Sequence, residues 1–449
     1  MSGALFTDFY ELTMMAGYHA SGRADEPAVF DLFFRHNPGG VDLVVCAGIE
    51  PVLDALEDLR FTDEDVAFLA SLGRFDDSFL DWLSTFRFTG DVWAIPEGEV
   101  VFGDEPLVRV EAPLAQGQLV ETIIINRVAY SSLIASNALQ VARAARGKPV
   151  LEFGARRAHG PDGAITASRA AMIGGCASTS NVEAARRFDL PLSGTQAHSW
   201  VMAWPTELEA FRRYAEVFPD DCVLLLDTYD TLAIGLPNAV TVAEELAANG
   251  HELGGVRLDS GDLDALARTV RDRLDAAGHP GSRIVVSGDL DAARVAELER
   301  AGAPIDAYGV GTALVTARED PAFSGVYKLA QVGDQPVLKI SSDPVRSTNP
   351  GRKQVWRTTD GDVIGLAEEE VAGHPLLEPV MRAGRRTTTP GSVADAAERR
   401  AESVRGMGPH PPQPRRTARL EALRAGLIEQ LSTAQPVPAG PGHAPGAGS

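Results

Sequence analysis

The sequence predicts an α/β protein in which an irregular barrel of alternating strands and helices is joined to a second, β-rich α+β domain. Between residues 150 and 310, short apolar segments alternate with helical stretches, which is typical of parallel βαβ units. A turn rich in Gly or Asp follows each apolar segment, and this favours a barrel over an open sheet. Segments with the short alternating pattern of antiparallel strands lie on both sides of this region.

The chain length indicates more than one folded unit. At 449 residues the chain is too long for a single simple core. We expect an N-terminal α+β part with short antiparallel strands at 1–118 and an α/β barrel carrying the active site at 119–320. Strands at 321–390 are expected to rejoin the β-rich domain, and 391–449 to hold a helix and a flexible tail rich in Ala, Arg, Pro and Gly.

The N-terminal part is predicted to begin with a helix over Thr7–Tyr18. Asp8 and Glu11 have the spacing of a capping box, in which two side chains satisfy the free amides of the first turn. Two strands and a helical stretch are expected next, at 29–35, 43–47 and 50–87.

A change of pattern at 88–113 predicts a unit of short antiparallel strands. Four carboxylates in this unit resemble a cluster, but we expect them to be solvated turn residues: Glu97, Glu99, Asp104 and Glu105.

The barrel region begins with a long helix from about residue 119. Six compact strands are predicted after it, at 150–153, 190–193, 223–227, 255–258, 284–287 and 307–310. The clearest helix between them is 262–277. Short strands follow within 325–365, which we expect to rejoin the unit at 88–113, and a helix is expected near 416–432.

The composition argues against several functional classes. A formal net charge of −21 argues against binding to nucleic acid, which requires a basic surface. The apolar runs are far shorter than the ~20 residues that span a bilayer, so no membrane association is expected. Cys46, Cys176 and Cys222 are too widely spaced for a disulfide framework or a zinc site, and the N-terminus lacks an export signal; a reducing cytoplasm is expected.

Polar residues follow the predicted strands, where the active sites of such barrels lie. His198, in the segment GTQAHSW, is the residue most suited to chemistry, because an imidazole exchanges protons near neutral pH and can be phosphorylated. Arg156, Arg157 and Arg257 can pair with carboxylates or phosphates in a forked geometry, although each is equally consistent with a structural ion pair.

Two further groups suit a phosphorylated sugar. Gly288, Gly311 and Thr312 lie in turns whose amides can face a phosphate. Asp259 and Asp262 suit ribose hydroxyls or hydrated magnesium, but Asp262 is better explained as a helix cap. No Walker sequence and no dinucleotide fingerprint occurs, and the sequence alone assigns no metal ligand.

Taken together, these segments resemble the nicotinate phosphoribosyltransferase family. The resemblance runs from residue 7 to about residue 360 and is carried in order by TDFYELTM, EFGARRAHG, TSNVEAARRF, GTQAHSW, VRLDSGD and YGVGT. It implies a type II phosphoribosyltransferase that joins nicotinate to phosphoribosyl pyrophosphate for NAD salvage. ATP is hydrolysed alongside as a co-substrate, magnesium is the expected cofactor, and a homodimer is expected.

The resemblance also assigns roles to individual residues. His198 matches the histidine that is transiently phosphorylated from ATP. Tyr10 matches an aromatic residue beside the pyridine ring, which the neighbouring subunit supplies in dimeric relatives. The other substrate-binding positions that it implies are Arg157, Thr195, Arg257, Asp259, Gly288, Gly311 and Thr312. Ser178 stands where a family glycine is expected, so the phosphate-proximal backbone is expected to differ there.

Three other functions are alternatives to nicotinate phosphoribosyl transfer. A nicotinamide phosphoribosyltransferase would have the same fold and a comparable histidine, and only the presence of a cation for the carboxylate separates the two. A catalytically silent metabolite-binding relative is disfavoured because His198, Arg257 and Thr312 are all present. A Schiff-base lyase is disfavoured because Lys328 and Lys339 follow the barrel.

Overall fold

The computed structural model describes residues 3–39, 41–340, 347–408 and 411–434, and the predicted flexible tail at 435–449 lies outside them. Helices are numbered α1 to α16 in chain order: Phe9–Ala20, Ile49–Glu57, Asp63–Ser71, Asp77–Ser84, Leu114–Leu119, Glu121–Ala144, Gly160–Gly174, Val182–Phe188, His198–Met202, Glu207–Val217, Leu236–Ala248, Leu263–Ala276, Ala292–Ala301, Thr312–Thr316, Val393–Gly406 and Ala418–Ala434.

Strands are numbered β1 to β19 in the same way: Pro27–Phe34, Val44–Val45, Asp91–Ala94, Val100–Val101, Val108–Pro113, Val150–Glu152, Ser178–Thr179, Val223–Leu225, Gly255–Leu258, Arg283–Val286, Ala307–Val310, Gly325–Val332, Gln335–Pro336, Lys353–Thr358, Gly361–Leu366, His374–Pro375, Glu378–Arg382, Arg385–Arg386 and Arg415–Arg416.

A parallel sheet forms the centre of the α/β unit, in the order β7-β6-β11-β10-β9-β8 for the described residues. Val310 pairs with Glu152, and Val286 pairs with Leu258, so these neighbouring strands end at one level. Side chains that follow these strands are therefore collected at one edge of the sheet. The predicted fold class, a parallel α/β unit with separate β-rich sheets, is confirmed.

One predicted strand of this sheet is wrong. The segment at 190–193 makes a single parallel bridge, between Leu192 and Thr179, instead of a full strand. The neighbouring position is held by β7, which the sequence prediction missed. After Leu192 the chain turns away through Gly194 toward His198, so the backbone ladder ends there and the barrel is irregular.

The β-rich unit combines both ends of the chain. Its large antiparallel sheet has the order β13-β12-β1-β5-β3-β17-β18 in the described residues. β1 lies between β5 and β12, and its pairing with β12 runs from Ala28–Val332 to Phe34–Gly325. β14 and β15 do not join this sheet as expected, but form a separate sheet with β16 and β19. Val355 of β14 and Ile364 of β15 nevertheless pack in the same hydrophobic core as the large sheet.

The long helix α6 contributes to two hydrophobic cores. Ile124 and Val128 pack in the core of the β-rich unit, whereas Leu133 and Leu139 pack in the core of the parallel unit. The helical stretch Leu114–Ala144 is long and apolar enough to cross a membrane, but 61% of its most apolar window is buried inside the protein. Its apolar composition is therefore explained by its place between the two cores.

The capping box predicted for the first helix is wrong. α1 begins at Phe9, and the Asp8 side chain makes no cap hydrogen bond. Instead, the hydroxyl of Thr122 donates to Asp8 at 2.8 Å, and the amide of Thr122 donates to Glu11 at 3.1 Å. Both carboxylates thus hold α1 against α6, and burial raises the pKa of Glu11 to about 7.

The carboxylates of the 88–113 unit are not solvated turn residues as predicted. Three form ion pairs, namely Glu97–Arg169 at 2.6 Å, Glu99–Arg357 at 2.6 Å and Asp104–Arg416 at 3.0 Å. Glu105 is fully buried and accepts a hydrogen bond from the amide of Phe102. Most of these partners come from distant parts of the chain, which a local pattern does not reveal.

Helix boundaries also differ from the prediction. The stretch predicted at 50–87 is divided into α2, α3 and α4, because Thr62 and Asp76 cap new helices. The C-terminal segment contains α15 in addition to the predicted helix, which is α16. The predicted cap at Asp262 is confirmed, since its carboxylate accepts from the amide of Ala265 at the start of α12.

Candidate active site

The carboxyl ends of the parallel strands open onto a cleft of about 550 Å³. This volume is in the range of small-molecule sites. The cleft is lined by the turns after β6, β9, β10 and β11 and by the segment before α9. All predicted substrate-binding residues except Tyr10 lie in its wall: Arg157, Thr195, Arg257, Asp259, Gly288, Gly311 and Thr312.

His198 lies at the edge of this cleft as the first residue of α9, next to the cleft residue Ala197. Its Nε2 atom is 3.3 Å from Oδ1 of Asp227, which follows β8. The histidine side chain is 42% exposed and the aspartate side chain 5%. Oδ2 of Asp227 accepts a hydrogen bond from Ser260 at 2.5 Å. The imidazole is therefore open to solvent while the group that holds it is buried and fixed.

A second carboxylate lies beside this pair. One ligand atom each of His198, Asp227 and Asp259 can be chosen so that all lie within 4.8 Å of one another. The hydroxyl of Ser287 donates to Asp259 and orients it. Carboxylate oxygens are the donors that magnesium prefers, so the two aspartates fit this ion better than the imidazole does.

Arg257 brings a positive charge into the cleft from β9. Its Nη1 atom donates to the hydroxyl of Thr195 at 2.7 Å, and its Nε atom is buried without a hydrogen-bond partner among the described residues. The guanidinium makes no ion pair within 4 Å in the described chain. Burial lowers the pKa of Arg257, and the negative charges of Asp259 and Asp227 oppose this. The side chain is thus a cation with an unused donor, suited to an anionic ligand.

Two glycines line the cleft at positions where a side chain would clash with neighbouring atoms. Gly288 has φ +95°, and a Cβ there would lie 1.9 Å from the carbonyl oxygen of Asp259. At Gly309 a Cβ would lie 2.7 Å from the ring of Phe153. Only glycine fits either position, and the exposed backbone of Gly288 can approach a ligand phosphate closely.

Tyr10 does not reach the cleft of its own chain. It lies on α1 and is 46% exposed, and Phe6, Phe9 and Met14 in the same part of the chain are exposed as well. Partial burial and the nearby charge of Glu121 raise the pKa of its hydroxyl.

Sequence comparison identifies the family to which this architecture belongs. The model of the nicotinate phosphoribosyltransferase N-terminal domain matches residues 5–129, and the model of the nicotinate phosphoribosyltransferase family matches residues 149–363. These two ranges include most of the chain and all of the cleft residues described above. The chain belongs to the nicotinate phosphoribosyltransferase family.

Individual relatives agree with this assignment. A nicotinate phosphoribosyltransferase of Mycobacterium tuberculosis, pncB2, is 46% identical over 400 residues, covering 88% of this chain and 85% of the relative. The nicotinate phosphoribosyltransferase of Bacillus subtilis is 43% identical over 379 residues, covering 82% and 77%. The crystal structure of human nicotinic acid phosphoribosyltransferase has a TM-score of 0.85 at 32% identity, covering 94% of this chain and 99% of that one.

The predicted departure from the nicotinate phosphoribosyltransferase pattern, Ser178, lies in β7. The residue is buried, and its Oγ atom has no hydrogen-bond partner among the described residues. The hydroxyl therefore lies inside the protein, and Ser178 is not among the residues that line the cleft.

Sequence reasoning missed several polar residues of this site, among them Asp227 and Ser287. Asp227 was included in the strand predicted at 223–227 and given no role, although an aspartate at the end of a buried strand is a usable signal at this edge of a sheet. Ser287 was passed over because nothing in its neighbourhood indicates that its hydroxyl contacts Asp259, which is 28 positions earlier.

Proposed function

We propose that this chain is a nicotinate phosphoribosyltransferase that forms nicotinate mononucleotide and pyrophosphate from nicotinate and phosphoribosyl pyrophosphate. ATP hydrolysis is coupled through a phosphohistidine at His198, and the reaction serves NAD salvage in the cytoplasm. The observation that carries the proposal is the unpaired guanidinium of Arg257 in a cleft walled by glycine turns, in a chain of this family.

The nicotinate carboxylate is assigned to Arg257 and Thr195. A guanidinium offers parallel N–H donors that match a carboxylate, and its Nε atom is buried without a partner. Leaving this cation unpaired in the cleft costs desolvation energy, which an acidic ligand recovers. A neutral amide offers no charge to this group, and this favours nicotinate over nicotinamide.

Phosphoribosyl pyrophosphate is assigned to the turns after β6, β9, β10 and β11. The backbone at Gly288, Gly311 and Thr312 is open to a phosphate group, and Arg157 adds a positive charge from the turn after β6, the strand next to β11. Asp259, held by Ser287, is the acceptor for ribose hydroxyls.

The chemical step requires orientation more than proton transfer. The pyridine nitrogen already has a free lone pair, which forms the new bond to the ribose C1 atom while the bond to pyrophosphate breaks. No general base is needed. The cleft residues hold the two anionic substrates in line, and the arginines stabilise the negative charge on the departing group.

Asp227 and Asp259 are the residues that would hold magnesium, since they supply neighbouring carboxylate oxygens beside the cleft. When bound there, the ion supplies positive charge next to the pyrophosphate group. The arginines and backbone amides remain necessary, because the protein as a whole has a formal charge of −21.

His198 is assigned to ATP coupling. The buried Asp227 carboxylate lies beside its Nε2 atom and compensates the positive charge that an imidazole gains on phosphorylation. The exposed ring is accessible to a nucleotide phosphate, and its place at the edge of the cleft lets its state affect the loops that hold the substrates.

We also infer a homodimer in which Tyr10 enters the active site of the other chain. Support comes from the exposed apolar side chains at the start of the chain, Phe6, Phe9, Tyr10 and Met14, each of which is more than a third exposed. Exposed aromatic residues grouped in this way are typical of protein interfaces.

The experiment is product analysis with purified protein, nicotinate, phosphoribosyl pyrophosphate and magnesium, with and without ATP, beside a His198→Ala variant. Nicotinate mononucleotide that ATP increases in the wild type but not in the variant supports the whole proposal. Turnover of nicotinamide instead of nicotinate indicates the sibling enzyme, and absence of both products overturns the proposed function while leaving the fold assignment unaffected.

A further inference from the structure

Arg318 connects the turn after β10 to the segment after β11. Its Nη1 atom is 3.1 Å from Oδ1 of Asp289, and its Nη2 atom is 3.1 Å from Oδ2 of Asp291. Asp289 lines the cleft, whereas Arg318 and Asp291 line a separate cavity of about 610 Å³. Arg318 therefore forms an ion pair with a cleft residue without being among the residues that line the cleft.

Left-handed backbone conformations occur at both ends of this ion pair, at Asp289 itself and at the residue before Arg318. Asp289 has φ +48° and Ala317, which directly precedes Arg318, has φ +43°. The left-handed region is unfavourable for both residues, more so for alanine, and such conformations persist where surrounding contacts determine them. Ala317 ends α14, whose first residue Thr312 lines the cleft.

The same contact fixes the start of a helix. Asp291 caps α13 by accepting from the amide of Arg294 at 2.8 Å, and its second oxygen is held by Arg318. The turn 287–291 is thus anchored at both Asp289 and Asp291, with Gly288 next to the anchor. Gly288 is the residue whose backbone packs against that of Asp259 and lines the cleft.

We propose that Arg318 is a positioning residue for phosphoribosyl pyrophosphate, which by its ion pairs with Asp289 and Asp291 holds the Gly288 turn in its ligand-binding geometry. The inference rests on the proposed function for the identity of the ligand. It assigns Arg318 an effect on the phosphate-bearing substrate and none on the nicotinate site, since Arg257 and Thr195 belong to other turns.

The test compares Arg318→Ala, Arg318→Lys and the control Arg294→Ala in initial-rate kinetics and in calorimetric titration with phosphoribosyl pyrophosphate and magnesium. Arg294 is a suitable control because it pairs with Glu297 on the surface of α13 and lines neither cavity. Unfolding midpoints of all variants separate a loss of folding from a loss of positioning.

For Arg318→Ala we expect the KM and Kd for phosphoribosyl pyrophosphate to rise about tenfold, with kcat and the KM for nicotinate changed less than about threefold. Arg318→Lys keeps the positive charge but loses the forked donors of the guanidinium, so it should retain part of the affinity for phosphoribosyl pyrophosphate that Arg318→Ala loses. Adding Asp289→Gly to Arg318→Ala should lower the affinity for phosphoribosyl pyrophosphate no further, because Arg318→Ala has already removed the contact between Arg318 and Asp289.

Equal Kd values in Arg318→Ala and Arg294→Ala would overturn the inference, as would equal losses for both substrates together with a lower unfolding midpoint. If the wild type binds phosphoribosyl pyrophosphate without forming product, the proposed function fails while the calorimetric comparison still decides the role of Arg318. If the wild type does not bind this ligand, both fail.

Discussion

Asp227 lies directly beside His198, with its Oδ1 atom 3.3 Å from Nε2 of the imidazole, and it is buried where the histidine is exposed. Its other oxygen is fixed by Ser260. The ring is thus free on the side that meets solvent and held on the side that meets the protein. A carboxylate in this position stabilises a charged imidazole without competing for the phosphate that it receives.

Replacing Asp227 by asparagine should reduce the ATP-dependent increase in product formation by roughly 10- to 100-fold, the usual effect of losing an orienting carboxylate. The measurement is nicotinate mononucleotide formed per unit time with and without ATP. A matched control is Asp220→Asn, since Asp220 makes a similar contact with His251 on the surface at 2.8 Å. Equal ATP stimulation in both variants would contradict the role given to Asp227.

Arg257→Gln should lower kcat/KM for nicotinate by about 100-fold, because the ring carboxylate loses its charged partner in a partly buried site. Turnover of nicotinamide should change far less, so the ratio of the two values reports the carboxylate contact directly. Arg283→Gln is the control, since Arg283 begins the adjacent strand at its opposite, exposed end. A parallel loss for both substrates would show that Arg257 serves another purpose.

Gly288→Ala should abolish measurable binding of phosphoribosyl pyrophosphate. The new methyl group meets the carbonyl oxygen of Asp259 at 1.9 Å, and φ +95° is unfavourable for alanine, so the turn must move. Gly281→Ala provides the comparison: there a Cβ has ordinary contact only, 3.9 Å from Glu252, and we expect a stability change within about 0.5 kcal/mol. Calorimetric titration and thermal unfolding give both values, and tight binding by Gly288→Ala would refute the assignment of this turn.

Glu11→Gln should change how stability depends on pH. Burial raises the folded-state pKa of Glu11 to about 7, so the folded protein keeps a proton that the unfolded chain releases near its ordinary pKa of 4.5. This contribution is complete below pH 4.5 and is lost as the pH rises through 7. Urea unfolding between pH 4.5 and 8 should show a fall of about 1–2 kcal/mol in the wild type relative to the variant. Parallel curves would mean that Glu11 is not protonated in the folded state.

Mixing two impaired variants tests the placement of Tyr10. If Tyr10 completes the site of the partner chain, a heterodimer of Tyr10→Ala and His198→Ala contains one intact site. Random exchange at equal amounts should then restore about a quarter of the wild-type ATP-stimulated rate, as expected for a two-fold assembly. Size-exclusion chromatography with light scattering measures the oligomeric state of each preparation. A monomer, or a mixture no more active than its components, would contradict the shared site.

The features predicted from the sequence are those that depend on neighbours along the chain. The strands that end near Glu152, Leu258 and Val310 were recognisable because each is a short apolar run followed by a turn. The cleft could be anticipated because parallel strands bring such turns to one edge. The grouping of Arg257 with Thr195 followed from the family resemblance, and their hydrogen bond required the structure.

The features that were missed depend on distant partners. Glu97 appeared to be a solvated turn residue because its partner Arg169 is 72 positions away. Glu11 appeared to cap its own helix, but Thr122 competes successfully for the carboxylate. The strand expected at 190–193 had suitable composition, yet in the described residues the segment makes only the bridge between Leu192 and Thr179 and does not pair with β8. In each case tertiary contacts overrode a local preference.

The position of β1 between β5 and β12 has a consequence for synthesis of the chain. β5 emerges from the ribosome soon after β1, but Phe34 pairs with Gly325, which is translated only after the whole parallel unit. Until then β1 presents an open edge to other nascent chains, and such edges promote aggregation. Truncated products that end before β12 should therefore accumulate as insoluble material, and a chaperone that covers this edge during translation should raise the yield of intact protein.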